Sequence, residues 1–162
     1  MNVGAILQLL TLHAIANSVP IAAKRLLHDR LSYPLDGGLV FFDGRPLFGP
    51  SKTIRGILMA VLVTSVCAPL IGLEWETGAL IASVAMVGDL FSSFLKRRMK
   101  LPSSGRATGL DQVPESLFPA LACQNILSLS VMDILVCTGA FFVGEVILAR
   151  VFYKLHFRDR PY

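Results

Sequence analysis

Apolar residues run through this chain in five blocks, at 3–23, 54–73, 78–95, 115–129 and 131–153. A membrane-spanning helix needs ~20 mostly apolar residues, and four of the blocks reach or approach that length. The fourth is shorter. Two polar, turn-rich stretches separate the blocks, at 24–53 and 96–114. The pattern predicts an all-α integral membrane protein. It forms a single domain, a bundle of about five transmembrane helices with two long loops. Only Ser128–Asp133 divides the last two blocks. One helix over 115–153 would be far too long for a single crossing, so a break is expected there. Pro69 should kink the second span or end it early. Residues 1–12 hold no Lys or Arg. The first apolar run therefore lacks the basic flank of a cleaved signal and is expected to stay as a helix.

Composition points the same way. Hydrophobic residues make up 54% and charged residues 16% of the chain, with a mean hydropathy of +0.63. Soluble domains carry ~25% charged residues, so water cannot be the main solvent here. The cysteines, Cys67, Cys123 and Cys137, lie in apolar stretches without zinc-ligand or redox spacing and read as small buried hydrophobes.

Charge adds direction. Lys24, Arg25, Arg30, Arg45, Lys52 and Arg55 flank or fill the first long loop. Lys96, Arg97, Arg98, Lys100 and Arg106 fill the second, and Arg150, Lys154, Arg158 and Arg160 lie at the C-terminal end. These are all 15 of the Lys and Arg residues. The link between the second and third spans carries Glu74 and Glu76 and no cation. Five crossings put every cation on one side, which the positive-inside rule makes cytoplasmic. The N-terminus is then outside and the C-terminus cytoplasmic, in a cell inner (cytoplasmic) membrane. The formal net charge of +4 suits an anionic lipid or nucleotide better than nucleic acid, because the charge sits on no soluble module.

The loops carry chemistry-bearing residues. The first contains Asp36-Gly37-Gly38, Asp43-Gly44-Arg45 and Gly49-Pro50-Ser51-Lys52-Thr53-Ile54-Arg55-Gly56. Glycines let backbone amides approach phosphate closely, and a helix N-terminus adds unpaired N–H groups. The spacing is not that of a P-loop. In the third span, Asp89, Ser92, Ser93 and Lys96 share one helix face. A carboxylate inside a span costs ~2.5–3.5 kcal/mol on insertion scales and is rarely idle. It either pairs with a cation to hold the bundle or ligates metal or substrate at the floor of a cytoplasm-facing pocket. Asp111, ahead of the fourth span, reads as a helix cap or a second metal ligand. Carboxylates interleaved with cations suit Mg²⁺ and polyphosphate together. His13 and Asn17 share a face of the first span, where interhelical hydrogen bonding is expected. Glu145 in the fifth span stays without an assigned role.

Taken in order, Asp36-Gly37, Asp43-Gly44-Arg45, Gly49-x-x-Lys52-Thr53-x-Arg55-Gly56, Gly88-Asp89-x-x-Ser92-Ser93-Phe94-x-Lys96-Arg97-Arg98 and Leu110-Asp111-Gln112 resemble the CDP-archaeol synthase family of CTP-dependent phosphatidate cytidylyltransferases. The resemblance covers about 34–115, with a weaker echo from Glu145 to Pro161. It implies five membrane helices with an active site on two cytoplasmic loops. It also implies Mg²⁺-assisted joining of CTP to a phosphorylated isoprenoid- or acyl-glycerol lipid, giving a CDP-lipid and pyrophosphate. Asp89 and Asp111 would hold the metal, and Lys52 and Lys96 would act beside them in catalysis. Asp36, Asp43, Arg45, Thr53, Arg55, Ser92, Ser93, Arg97, Arg98 and Gln112 would bind substrate. The family pattern continues Asp-Gln-x-Asp, whereas here it reads Asp111-Gln112-Val113-Pro114, with Glu115 one residue late. Pro114 cannot ligate a metal. That departure keeps a non-catalytic lipid-phosphate-binding relative as an alternative, beside a small membrane transporter for organic anions. Acidic residues among the cations favour the enzyme, since an anion pore gains nothing from them.

Overall fold

The computed structural model describes residues 1–28, 30–102 and 107–154, with side chains described as far as residue 148. Five α-helices follow one another: α1 Val3–Leu27, α2 Ile54–Cys67, α3 Trp75–Arg98, α4 Gln112–Ala122 and α5 Val131–Lys154. A 3-10 turn, Ala68–Ile71, extends α2. Four helices are long and apolar enough to cross a bilayer, Val3–Leu27, Ile54–Ile71, Trp75–Arg98 and Val131–Leu148. The protein is therefore a multi-pass membrane protein. No strand forms among the described residues, only isolated bridges at Pro34–Thr53 and Val40–Pro46.

Local chemistry sets the boundaries. Asn2 caps α1 by accepting the Ala5 N–H, and Thr53 caps α2 by accepting the Gly56 N–H. Pro69 ends α2 as expected: the α-helix stops at Cys67 and tightens into a 3-10 turn closed by Gly72 at φ 80°. Between α4 and α5 the chain breaks. Ser128 takes a positive φ of 51°. The Ser130 hydroxyl accepts the Asp133 N–H, and the Asp133 carboxylate accepts the Ser130 N–H and hydroxyl in return. This reciprocal cap starts α5 and rules out one continuous helix over 115–153.

The fourth element differs from a full span. At ~1.5 Å per residue the 11 residues of α4 rise about 16 Å, half a hydrocarbon core. Pro119 costs it one backbone hydrogen bond, and the helix gives way to turns at Cys123. The turns carry the chain the rest of the way. The Asn2 side chain donates to the Leu127 carbonyl, and the Asn2 N–H to Asp133. Gln8 reaches Ile71 at that same end. Residues 30–53, the C-terminal end of α3 and Asp111 gather at the opposite end, so the described loop cations of both long loops share one end of the bundle. Arg106, Arg158 and Arg160 lie outside the described residues, as do the side chains of Arg150 and Lys154.

Buried Leu9, Leu12, Ile81, Ala120, Cys123, Ile134 and Cys137 form the core, with all three cysteines free. Large apolar side chains such as Leu58, Leu62, Val87 and Leu135 point outward, as lipid allows. Lipid gives helices no hydrophobic reason to associate, so close approach at small residues has to supply dispersion contact. Gly78 is such a point. A Cβ there would stand 2.7 Å from the Thr64 carbonyl oxygen and 2.7 Å from the Ala68 Cβ. Gly78→Ala should therefore push α3 from α2 and destabilise the bundle by about 1–3 kcal/mol. Thermal unfolding in detergent reads this as a lower midpoint, and an unchanged midpoint would contradict the packing described.

Candidate functional site

The end of the bundle that collects the cations also collects the acidic residues singled out in the sequence. Lys52, one residue before the α2 cap, places Nζ 2.5 Å from an Asp89 oxygen on α3. Lys96, two turns further along α3, places Nζ 2.7 Å from Asp111 at the start of α4. The two ion pairs are joined through α3, whose Asp89 and Lys96 lie two turns apart on one face. Beside the first lies a cavity of about 110 Å³ lined by Lys24, Ser51, Lys52, Thr53, Arg55 and Asp89 among others. Lys24 and Ser51 carried no specific assignment in the sequence. Lys24 reaches the site because the end of α1 lies against the α2 cap, a contact that no local pattern reports, and Ser51 because it adjoins Lys52.

The first loop folds back onto α3 because Asp36 organises it. Its carboxylate is buried and accepts the N–H groups of Gly38, Phe48 and Gly49 at 2.9–3.1 Å. Gly49 reaches that position with φ 96°, a conformation that favours glycine. Burial pushes the Asp36 carboxyl up, but the donors from Gly49, Phe48 and Gly38 outweigh it and hold it below the ordinary value of 3.8. Asp36 thus shapes the loop, with both oxygens engaged by backbone. Asp43 caps the turn before Arg45 and pairs with Arg98 at 2.7 Å. Arg45 donates to the Arg97 and Arg98 carbonyls, capping the C-terminal end of α3. The Arg98 guanidinium also covers the Phe41 and Phe94 rings and donates to the Pro46 carbonyl.

The remaining arginines act as ties. Arg55 donates to the His28 and Arg30 carbonyls and anchors the start of the first loop. Arg97 donates to the Pro102 carbonyl and anchors the start of the second. The buried Ser92 hydroxyl bonds the Gly88 and Leu110 carbonyls, pulling the far end of that loop back to α3. Gln112 accepts the Gly109 N–H there. Ser93 is buried on the same helix. The structure therefore joins Lys52 to Asp89 and Lys96 to Asp111, and gives most of the other expected binding residues work in building the loops around them.

The intramembrane polar residues divide. His13 is buried against the Phe141 ring, with centroids 4.2 Å apart, and its Nε2 has no hydrogen-bond partner among the described residues. Interhelical hydrogen bonding, expected of His13, is not what this nitrogen does. Asn17 and Glu145 line a mostly apolar groove of about 250 Å³ between α1 and α5, with Leu10, Ile21 and Phe141.

The CarS-like, CDP-archaeol synthase family model matches residues 69–162. The CDP-archaeol synthase of Sulfurisphaera tokodaii is 35% identical over 135 residues, covering 80% of this chain and 81% of its own length. That of Pyrococcus furiosus is 34% identical over 142 residues, covering 80% and 83%. A solved structure, described as an intramembrane enzyme for archaeal membrane lipids biosynthesis, superposes with a TM-score of 0.73 at 29% identity, over 87% of this chain and 90% of that one. The chain belongs to the CDP-archaeol synthase family. It is thereby a membrane nucleotidyltransferase, from a family of CTP-dependent lipid cytidylyltransferases.

For this member, the loop geometry yields a pH test. A carboxylate held below its ordinary value stabilises its surroundings above that value, and the contribution is lost as pH falls through the folded-state value. Hydrogen exchange should show the Phe48 and Gly49 amides protected above pH 3.8 and progressively exposed below it. Asp36→Asn should expose them at neutral pH. Protection unchanged in that variant would remove Asp36 as the organiser of the loop.

Proposed function

We propose that this protein joins CTP to a phosphorylated diradylglycerol, releasing pyrophosphate and leaving a CDP-activated lipid. The observation that carries the reading is the pair of lysine–carboxylate contacts, Lys52–Asp89 and Lys96–Asp111, held by two loops at one end of a membrane bundle. A lipid phosphate is already anionic, so it attacks the α-phosphorus of CTP without a strong general base. As the new phosphorus–oxygen bond forms, the bond to the β-phosphate breaks, and pyrophosphate departs with the electron pair. The protein's task is in-line positioning and neutralisation of the charge on both phosphates.

The residues divide that task. Lys52 and Lys96 are compact point charges whose present partners are carboxylates, and phosphate oxygens can take the place of those partners. Asp89 and Asp111 offer hard oxygen donors, which fits Mg²⁺ bound by one or two carboxylates with substrate phosphates and water completing its shell. When bound, Mg²⁺ would supply further neutralisation of the triphosphate. Thr53 and Gly56 bring the α2 N-terminus, with its positive dipole end, to the same cavity. Asp36, Asp43, Arg45, Arg55, Ser92, Arg97, Arg98 and Gln112 keep the loops in place around the nucleotide. The α1–α5 groove, apolar along most of its wall, would hold the lipid tails beside the site. Carboxylates paired with cations at Lys52–Asp89, Lys96–Asp111 and Arg98–Asp43 speak against an anion pathway. The cation-rich end would face the cytoplasm, where CTP is found.

Pyrophosphate release by protein purified in detergent tests the reading. It should require CTP, Mg²⁺ and a lipid phosphate together, with phosphatidic acid and its geranylgeranyl ether analogue compared. Asp89→Asn should lower turnover about 100-fold or more, the scale on which removal of one charge-stabilising group acts. Folded wild-type protein that turns over neither lipid would instead favour the non-catalytic lipid-binding reading.

A further inference from the structure

The first long loop carries an apolar tip. Leu39-Val40-Phe41-Phe42 are four consecutive large apolar residues, and all four are exposed. Phe42 is 100% exposed, Leu39 66% and Val40 61%. Hydrogen bonds hold this tip in shape. The Phe41 N–H donates to the Arg45 carbonyl, the Gly44 N–H to the Phe41 carbonyl and the Leu47 N–H to the Leu39 carbonyl, and Val40 bridges Pro46. The small hairpin so formed keeps Leu39 and Phe42 outward. In water such a run forfeits the transfer free energy of its side chains, and it marks a surface that something covers.

What covers it can be read from α3. Val87, Phe91, Phe94 and Arg98 stand at i, i+4, i+7 and i+11, one face of that helix. Val87 and Phe91 are exposed there, in a segment long and apolar enough to cross a bilayer, so this face meets lipid. The Phe94 ring carries the face towards the end of the helix and meets Phe41 edge-on at 5.4 Å, and Phe41 meets Phe42 at 5.2 Å. The lipid-facing surface of the span thus continues onto the loop tip. Depth agrees with this. From Trp75 to Phe94 the helix rises about 28 Å, close to the ~30 Å of a hydrocarbon core. Trp75, exposed at the first residue of α3, suits one membrane boundary, which puts Phe94 at the other. Arg98 lies over the Phe41 and Phe94 rings at 4.7 and 4.9 Å, and Lys100 is exposed just past it. Cations directly behind aromatic rings suit the headgroup level, where rings enter the acyl chains and cations meet lipid phosphate.

We infer that residues 39–42 form a membrane-interface anchor, seated in the headgroup–acyl boundary of the same bilayer that the helices cross. The anchor gives the first loop a second hold. Asp43 and Arg45 tie the loop to the end of α3, and the tip ties it to the membrane surface. The same loop runs on to Lys52 and the α2 cap, so its order depends in part on the lipid around it. The inference goes beyond the cytidylyltransferase reading and stands apart from it, because it rests on the lipid-facing surface alone.

Indole fluorescence of the full chain in vesicles of phosphatidylcholine and phosphatidylglycerol tests this. Trp75 is the one tryptophan of the chain, so Phe42→Trp combined with Trp75→Phe leaves a single reporter at the tip. Its emission should be blue-shifted from that of an indole in water. Lipids brominated high on their acyl chains should quench it strongly, and iodide present on both faces of the vesicle should not. Emission at the water value with quenching by iodide would place the tip in water and overturn the inference. Protection from iodide and brominated lipid alike would place the tip under protein, such as a second copy of this chain, and would overturn it as well. If the Trp75→Phe chain does not purify folded, Phe42→Trp with Trp75 kept is read as a difference from the wild type in the same vesicles, and the same outcomes decide.

Discussion

A charge at the edge of hydrocarbon has to be answered by an opposite charge or by hydrogen bonds, and α3 presents this demand along its last three turns. Asp89 is answered by Lys52 from ahead of α2, and Lys96 by Asp111 from ahead of α4. Each pair reaches across from a different loop. Neither loop has a hydrophobic core of its own, so its order comes from these reaches and from the carbonyl ties around them. Both long loops are in this sense folded by α3.

The cations divide by chemistry. Arg45, Arg55 and Arg97 direct their forked guanidinium groups at backbone carbonyls, where several donors in a fixed plane can close a loop or cap a helix, and Arg98 divides its fork between the Pro46 carbonyl and the Asp43 carboxylate. Lys52 and Lys96, point charges on flexible stems, stand on carboxylates instead. A guanidinium wedged between carbonyls cannot leave without freeing buried acceptors, whereas an ammonium on a partly exposed carboxylate can exchange it for phosphate. The arginines hold the frame, and the two lysines pair with carboxylates beside it.

Glycine makes the frame tight enough to matter. Gly78 sets α3 against α2, and Gly88 sets it against the first turn of α4. Helix association within lipid depends on such close contact. At Gly88 the same contact carries Glu115 into the neighbourhood of Asp89. Packing and site geometry are therefore one feature here: widening that contact would relax the bundle and withdraw a carboxylate together.

The all-helical architecture and the place of the Pro69 break were legible in the sequence, which also singled out Lys52, Asp89, Lys96 and Asp111, the four residues that the fold joins in two ion pairs. Hydrophobic run length and the cost of charge in lipid are local, one-dimensional properties. The sequence also showed that the two loops carry cations and carboxylates together, but not who partners whom. Asp36, Arg55 and Arg97 read there as substrate ligands, and only the folded loops show them engaged by backbone N–H and carbonyl groups. The extension of α4 by turns and the burial of Glu115 likewise follow from contacts between residues far apart in the chain. Composition and spacing determined the solvent, the elements and the chemical inventory. The tertiary structure decided the pairing, because hydrogen bonds and ion pairs depend on distances of a few ångströms that only the packed bundle sets.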